Sequence, residues 1–148
     1  MTRSRKIFIA LLVVIVAIQF IRPSQNKGEA EGENFIAKKY AVPENVQSIL
    51  KQSCYDCHSN HTDYPWYANV QPVGWWIQFS HVNDGKRHLN FSEFASYPEK
   101  RAKKKMEEIA EEVREGEMPM ESYTLMHSAA KLSEDQKKIL IDWAEGLK

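Results

Sequence analysis

Apolar side chains recur along this chain at helical rather than strand spacing. Val46, Ile49 and Leu50 share one face of a segment that Pro43 starts and that runs straight into Cys54. Val73, Trp76, Ile77 and Ser80 or His81 repeat with the same period, which predicts a short helix over 73–81. A longer helix is expected from near Pro98, with Ala102, Met106, Ile109 and Val113 inward and Gly116 as its stop. The last begins at Ser133, whose spacing to Gln136 is a capping box, and turns Ile139, Leu140, Trp143 and Leu147 inward. No stretch alternates convincingly as a strand, so the expected class is all-α.

The N-terminus follows a different pattern. Arg3, Arg5 and Lys6 precede an apolar run from Ile7 to Ile21, broken only by Gln19 and ended by Arg22-Pro23. A run of about 15 residues is long for a signal-peptide core and short of the roughly 20 that span a bilayer. No small-x-small cleavage sequence follows it, and no cysteine there accepts a lipid. The expectation is a retained signal anchor over residues 1–22, with a cleaved signal peptide as the alternative. The leading basic residues place the rest of the chain across a bacterial inner membrane, on the oxidising periplasmic side. Residues 23–34 are polar and read as a linker, and residues 35–148 as one domain.

Charge narrows the partners. The chain holds 20 basic and 20 acidic side chains, but four of the basic ones lie in residues 1–22, leaving 16 against 20, a net −4, for the remainder. Such a surface argues against nucleic acid as a main partner. The basic run Lys100, Arg101, Lys103, Lys104 and Lys105 is followed by Glu107, Glu108, Glu111 and Glu112 at pairing distances, as on a solvated helix face.

The chemistry lies in Cys54-Tyr55-Asp56-Cys57-His58, which contains the only two cysteines of the chain. CxxCH is the attachment sequence of a c-type haem: two thiols across one helical turn form thioethers with the vinyl groups, and the adjacent imidazole ligates iron. The cofactor expected is one haem c per chain, covalent through Cys54 and Cys57, with His58 as an axial ligand. A Cys54–Cys57 disulfide would close too short a loop to stabilise much. A zinc site from both thiols and two of His58, His61, His81, His88 and His127 lacks the second paired motif such sites use. A thioredoxin-like dithiol expects a βαβ context that is missing.

Beyond that pentapeptide, several separated motifs occur in order: Ser59-Asn60, Tyr64-Pro65-Trp66-Tyr67, Trp75-Trp76, Leu89-Asn90-Phe91-Ser92, Gly116-Glu117-Met118-Pro119 and Ala130-Lys131-Leu132-Ser133. With the helix leading into CxxCH and the C-terminal helix bearing Trp143, the domain resembles a monohaem cytochrome c. More narrowly it resembles the haem-binding domain family of small, often membrane-anchored bacterial proteins, over nearly all of residues 43–145. The resemblance implies covalent haem and electron transfer with redox partner proteins it does not name.

Met118, sixty residues after His58, is the expected second axial ligand, since Pro119 would stiffen the backbone that presents it. Met120, His81 and His127 are the alternatives, with Met126 also within reach in sequence; His61 and His88 read as surface or hydrogen-bonding groups. Tyr64, Trp66, Tyr67, Trp75 and Trp76 are expected to wall the haem, and Lys86 or Arg87 to meet a propionate. No catalytic constellation is visible, so an electron carrier is expected rather than an enzyme. A haem peroxidase or gas-responsive sensor with a vacatable sixth site is the alternative, and a non-haem metal-binding interaction module a third reading.

Overall fold

In the computed structural model, which describes residues 2–147, helix α1 spans Arg3–Ile18 and carries no buried residue. Its apolar side chains face outward from Ile7 through Val16. Gln19 ends it, turning its amide back to the Ile15 carbonyl and across to the backbone of Gln71. No helix among the described residues is long and apolar enough to cross a membrane. At 16 residues α1 is about 24 Å long, short of the roughly 30 Å hydrocarbon layer. The anchor expected over residues 1–22 is therefore not matched by a helix of spanning length.

The stretch expected as a linker is held against the domain. Asn26 gives its amide to the Ser59 carbonyl and the Thr62 hydroxyl, and Lys27 pairs with His61 in an isolated antiparallel bridge. The Gly28 N–H bonds the Asn60 carbonyl at 2.8 Å, and Ala95 donates to the carbonyl of Asn34. Polar composition left these backbone pairings invisible, because they are made to residues far along the chain.

Pro43 opens α2, Glu44–Ser53, and Val46, Ile49 and Leu50 are buried as their spacing requires. After Cys54 one turn, α3, covers Tyr55–His58. The region expected as one helix over 73–81 is α4, Val73–Trp76, continued by π-helical turns at Ile77–Val82 and by α5, Asn83–His88. The wider turns bury Gln78 and Val82, while Val73, Trp76, Ile77 and His81 share one face that lines a cavity. Gln78 is accommodated by bonds to Asn83 and to the Tyr64 hydroxyl.

Helix α6, Glu99–Glu115, begins after Pro98 and stops at Gly116, whose φ of 80° lies in the left-handed region that glycine adopts freely. Its buried residues Ala102, Met106, Ile109, Ala110 and Val113 include every predicted inward position. A single turn, α7, covers Glu121–Thr124, and α8, Glu134–Glu145, starts from the predicted capping box of Ser133 and Gln136. Leu140 and Ala144 are its buried residues; Ile139, Trp143 and Leu147 pack at the edge of the core. That core joins α2, α6 and α8 through Leu50, Met106 and Leu140 to Ile36, Phe91 and Phe94, all fully buried. The architecture is all-α: no strand is present among the described residues.

Candidate haem site

The CxxCH segment is placed by the end of α2. Cys54 N–H closes that helix on the Leu50 carbonyl, and one further turn brings the His58 N–H to 2.9 Å from the Cys54 carbonyl. Both thiols and the imidazole line one cavity of about 370 Å³, together with Ile109 and Val113 of α6 and Met118 just beyond its stop. The cysteines are free, and burial pushes Cys54 up to about 12 and Cys57 to about 11, with Cys57 adding to the first shift and Asp56 to the second. Such thiols stay protonated at neutral pH, which makes them slow to oxidise.

His58 is oriented by α5. Its Nδ1 lies 3.0 Å from the Gly85 carbonyl oxygen and 3.1 Å from that of Leu89, so this nitrogen carries the proton and Nε2 keeps its lone pair. Burial lowers the pKa of the ring, against the opposing pull of the two carbonyls, and the imidazole is neutral as a metal ligand must be.

The other candidates separate on the same ground. Met120 and His81 stand in a wall, completed by Cys57 and Tyr123, between this cavity and a second of about 330 Å³. His81 Nε2 is buried with no hydrogen-bond partner, and the ring sits edge-on to Trp76 at 4.3 Å. His127 lines only the second cavity, and both its nitrogens are engaged, Nδ1 with the Tyr123 carbonyl and Nε2 with the Tyr67 hydroxyl. Met126 also lies on that side. His61 meets the Gly28 carbonyl, and His88 is exposed beside Asp84.

Of the expected aromatic wall, Tyr67 and Trp76 line the second cavity, but Trp75 bonds the Ile21 carbonyl and Trp66 is 77% exposed. Lys86 is drawn to Asn26 and Arg87 to Asp84, so neither faces the site. Lys105, from the basic run, does line the haem-sized cavity, paired with Glu108.

Two residues escaped the sequence reading. Tyr123 gives its hydroxyl to Asp56 Oδ2 at 2.7 Å, tying α7 to the middle of CxxCH, and no local pattern announces that contact. Gly85 is packed so closely that an added Cβ would lie 2.7 Å from the Cys57 carbonyl oxygen. A glycine inside a helical stretch was the available signal.

The donor set fits a haem: two thiols one turn apart, an imidazole with its outer nitrogen held, a thioether lining the same cavity, and apolar walls. It does not fit a zinc site, because no group of three or more His, Cys, Asp or Glu able to hold a metal occurs among the described residues. No curated protein and no solved structure matches the chain. A family model described as a haem-binding domain matches residues 13–146, beginning within α1 and taking in every element described above. By that match the chain belongs to the haem-binding domain family.

Proposed function

We propose that the protein is a monohaem c-type cytochrome that carries single electrons on the periplasmic side of a bacterial inner membrane. Cys54 and Cys57 would hold the haem through thioethers, with His58 Nε2 and the Met118 sulfur as the iron donors. The observation that carries this reading is the pair of carbonyls on His58 Nδ1, since it leaves Nε2 oriented and unprotonated within the cavity both thiols line. When bound, haem supplies a one-electron iron couple. The residues around it fix that couple: α5 orients the imidazole, Ile109 and Val113 exclude water, and a thioether donor raises the potential relative to a second histidine.

A second reading for the sixth donor rests on His81, whose buried Nε2 has no partner. Ligation there would satisfy that nitrogen and give a bis-histidine iron of lower potential.

Attachment to the membrane through α1 is supported by its side chains, since Ile7, Phe8, Leu11, Leu12, Val13, Val14 and Ile15 are all more than half exposed. A helix apolar on every side finds no core here and is stable in lipid. Hydrogen-bonded turns continue from Gln19 to Ile21 and lengthen the apolar body beyond the helix itself.

The test is maturation of the full chain with a cytochrome c assembly system, followed by acid-acetone extraction. Pigment retained on the protein, and absent when Cys54 and Cys57 are both serine, is the expected result. Pigment leaving with the solvent overturns covalent attachment.

A further inference from the structure

Between Asp63 and Asp84 the chain carries no Lys, Arg, Asp or Glu. Within that stretch the structure turns large apolar groups outward: Trp66 is 77% exposed, Phe79 56% and Val70 46%, while Val73 and Trp76, also exposed, line the cavity of about 330 Å³. Exposed surface is normally interrupted by charge, and large apolar side chains turned outward along an uncharged stretch mark a contact.

The same face is fastened to the exit of α1. Gln19 and Gln71 exchange two hydrogen bonds, Gln71 N–H to Gln19 Oε1 at 2.9 Å and Gln19 Nε2 to the Gln71 carbonyl at 3.1 Å. Trp75 adds a third, from its indole N–H to the Ile21 carbonyl at 2.8 Å. Phe20 and Ile21, both strongly exposed, thereby continue into Val70, and the apolar surface of α1 into that of the domain.

We propose that the surface bearing Trp66, Val70 and Phe79 rests in the headgroup region of the lipid bilayer beside the point where α1 leaves it. The inference rests on the membrane attachment proposed above and adds a second contact to it. Tryptophan favours that region because one end of the ring is apolar and the other can bond headgroups. Trp75 and Trp143 spend their indole N–H groups on carbonyls of Ile21 and Ala41, whereas Trp66 and Trp76 keep theirs open among the described residues. A second copy of the chain or a protein partner has no comparable argument, because neither explains why the patch adjoins α1. Seated this way, the face would hold the domain at a fixed attitude to the membrane, with the charged helix α6 left to solvent.

The test uses the full-length haem-loaded protein in vesicles of phosphatidylethanolamine and phosphatidylglycerol doped with a diazirine phospholipid, with the labelled peptides read by mass spectrometry. Label is expected in peptides covering 64–82 as well as 7–21, and not in 99–115. Val70→Glu with Phe79→Glu, neither of which lines a cavity, should cut the 64–82 label several-fold with the haem spectrum and the 7–21 label unchanged. Label confined to 7–21 overturns the seating and leaves the anchor standing. Protein recovered free of vesicles and unlabelled overturns the anchor and the seating together. Protection of 64–82 without lipid label, in a species that sediments as a dimer, assigns the face to a second copy and also overturns the proposal.

Discussion

His58 Nδ1 lies 3.0 Å from the carbonyl oxygen of Gly85, and the same glycine lets α5 approach the backbone of Cys57. A Cβ there would meet the Cys57 carbonyl oxygen at 2.7 Å and Cys57 Cβ at 3.2 Å, with backbone that cannot swing aside.

Gly85→Ala therefore sets two effects against each other. Alanine gains about 1 kcal/mol in helix propensity, while forcing a methyl into packed backbone costs about 1–3 kcal/mol and moves the carbonyl that orients His58. Steric cost wins, and the variant should have a lower urea midpoint and a shifted haem potential. A midpoint at or above that of the parent protein would show that α5 has room to move.

The sequence made the long helices legible because their determinants are local. Ser133 and Gln136 cap α8 as their spacing says, and Ala102, Met106, Ile109 and Val113 face inward from α6. The 73–81 region keeps the face its spacing predicts, since Val73, Trp76, Ile77 and His81 all line the cavity of about 330 Å³, while the π turns, which the spacing did not show, bury Gln78 and Val82 as well. The CxxCH motif announced its own thiols and imidazole. Its supports did not show: Leu89, Gly85 and Tyr123 act through a backbone carbonyl, an absent side chain and one hydroxyl, and none of these leaves a periodic trace.

Tyr123 and Asp56 form one such support. Burial, and then the Asp56 carboxylate, raise the phenol pKa well above its ordinary value, so it remains a donor across the working range. A hydrogen bond to a charged acceptor contributes about 1.5–3 kcal/mol, reduced here because the Asp63 backbone N–H also donates to that carboxylate, at Oδ1. Tyr123→Phe should destabilise by about 1–2 kcal/mol. In a double-mutant cycle with Asp56→Asn the coupling should be near 1 kcal/mol, and additive losses would show that the pair is geometrically close but energetically idle.

The haem-free protein should lose stability as pH falls. Burial holds His58 and His81 below the ordinary imidazole value of 6.5, so below that pH the unfolded chain binds protons that the folded one refuses. Their contribution is complete above about pH 6.5 and is lost as pH falls toward the depressed folded values. Urea midpoints of the Cys54→Ser, Cys57→Ser protein between pH 7.5 and 5 check this, and His81→Phe should flatten the slope. A midpoint that rises on acidification would contradict neutral burial of both rings.

Met118 and Met120 stand two residues apart but line different space: Met118 only the cavity that holds His58, Met120 the wall shared with its neighbour. The Met118 backbone is held as well, its N–H bonding the Glu112 carbonyl at 3.2 Å two residues after the glycine stop of α6. Met118→Ala should remove the weak far-red absorption of a methionine-ligated ferric haem, lower the potential, and speed cyanide and carbon monoxide binding. Met120→Ala and His81→Ala should leave the sixth donor in place, with changes confined to the band shape. A high-spin spectrum produced by His81→Ala, with Met118→Ala silent, would instead move the ligand to His81, whose unpartnered Nε2 already lies in the shared wall. Electron transfer at a lower potential would survive that outcome, whereas a parent protein that is itself five-coordinate and binds gas rapidly would favour a sensor or peroxidase.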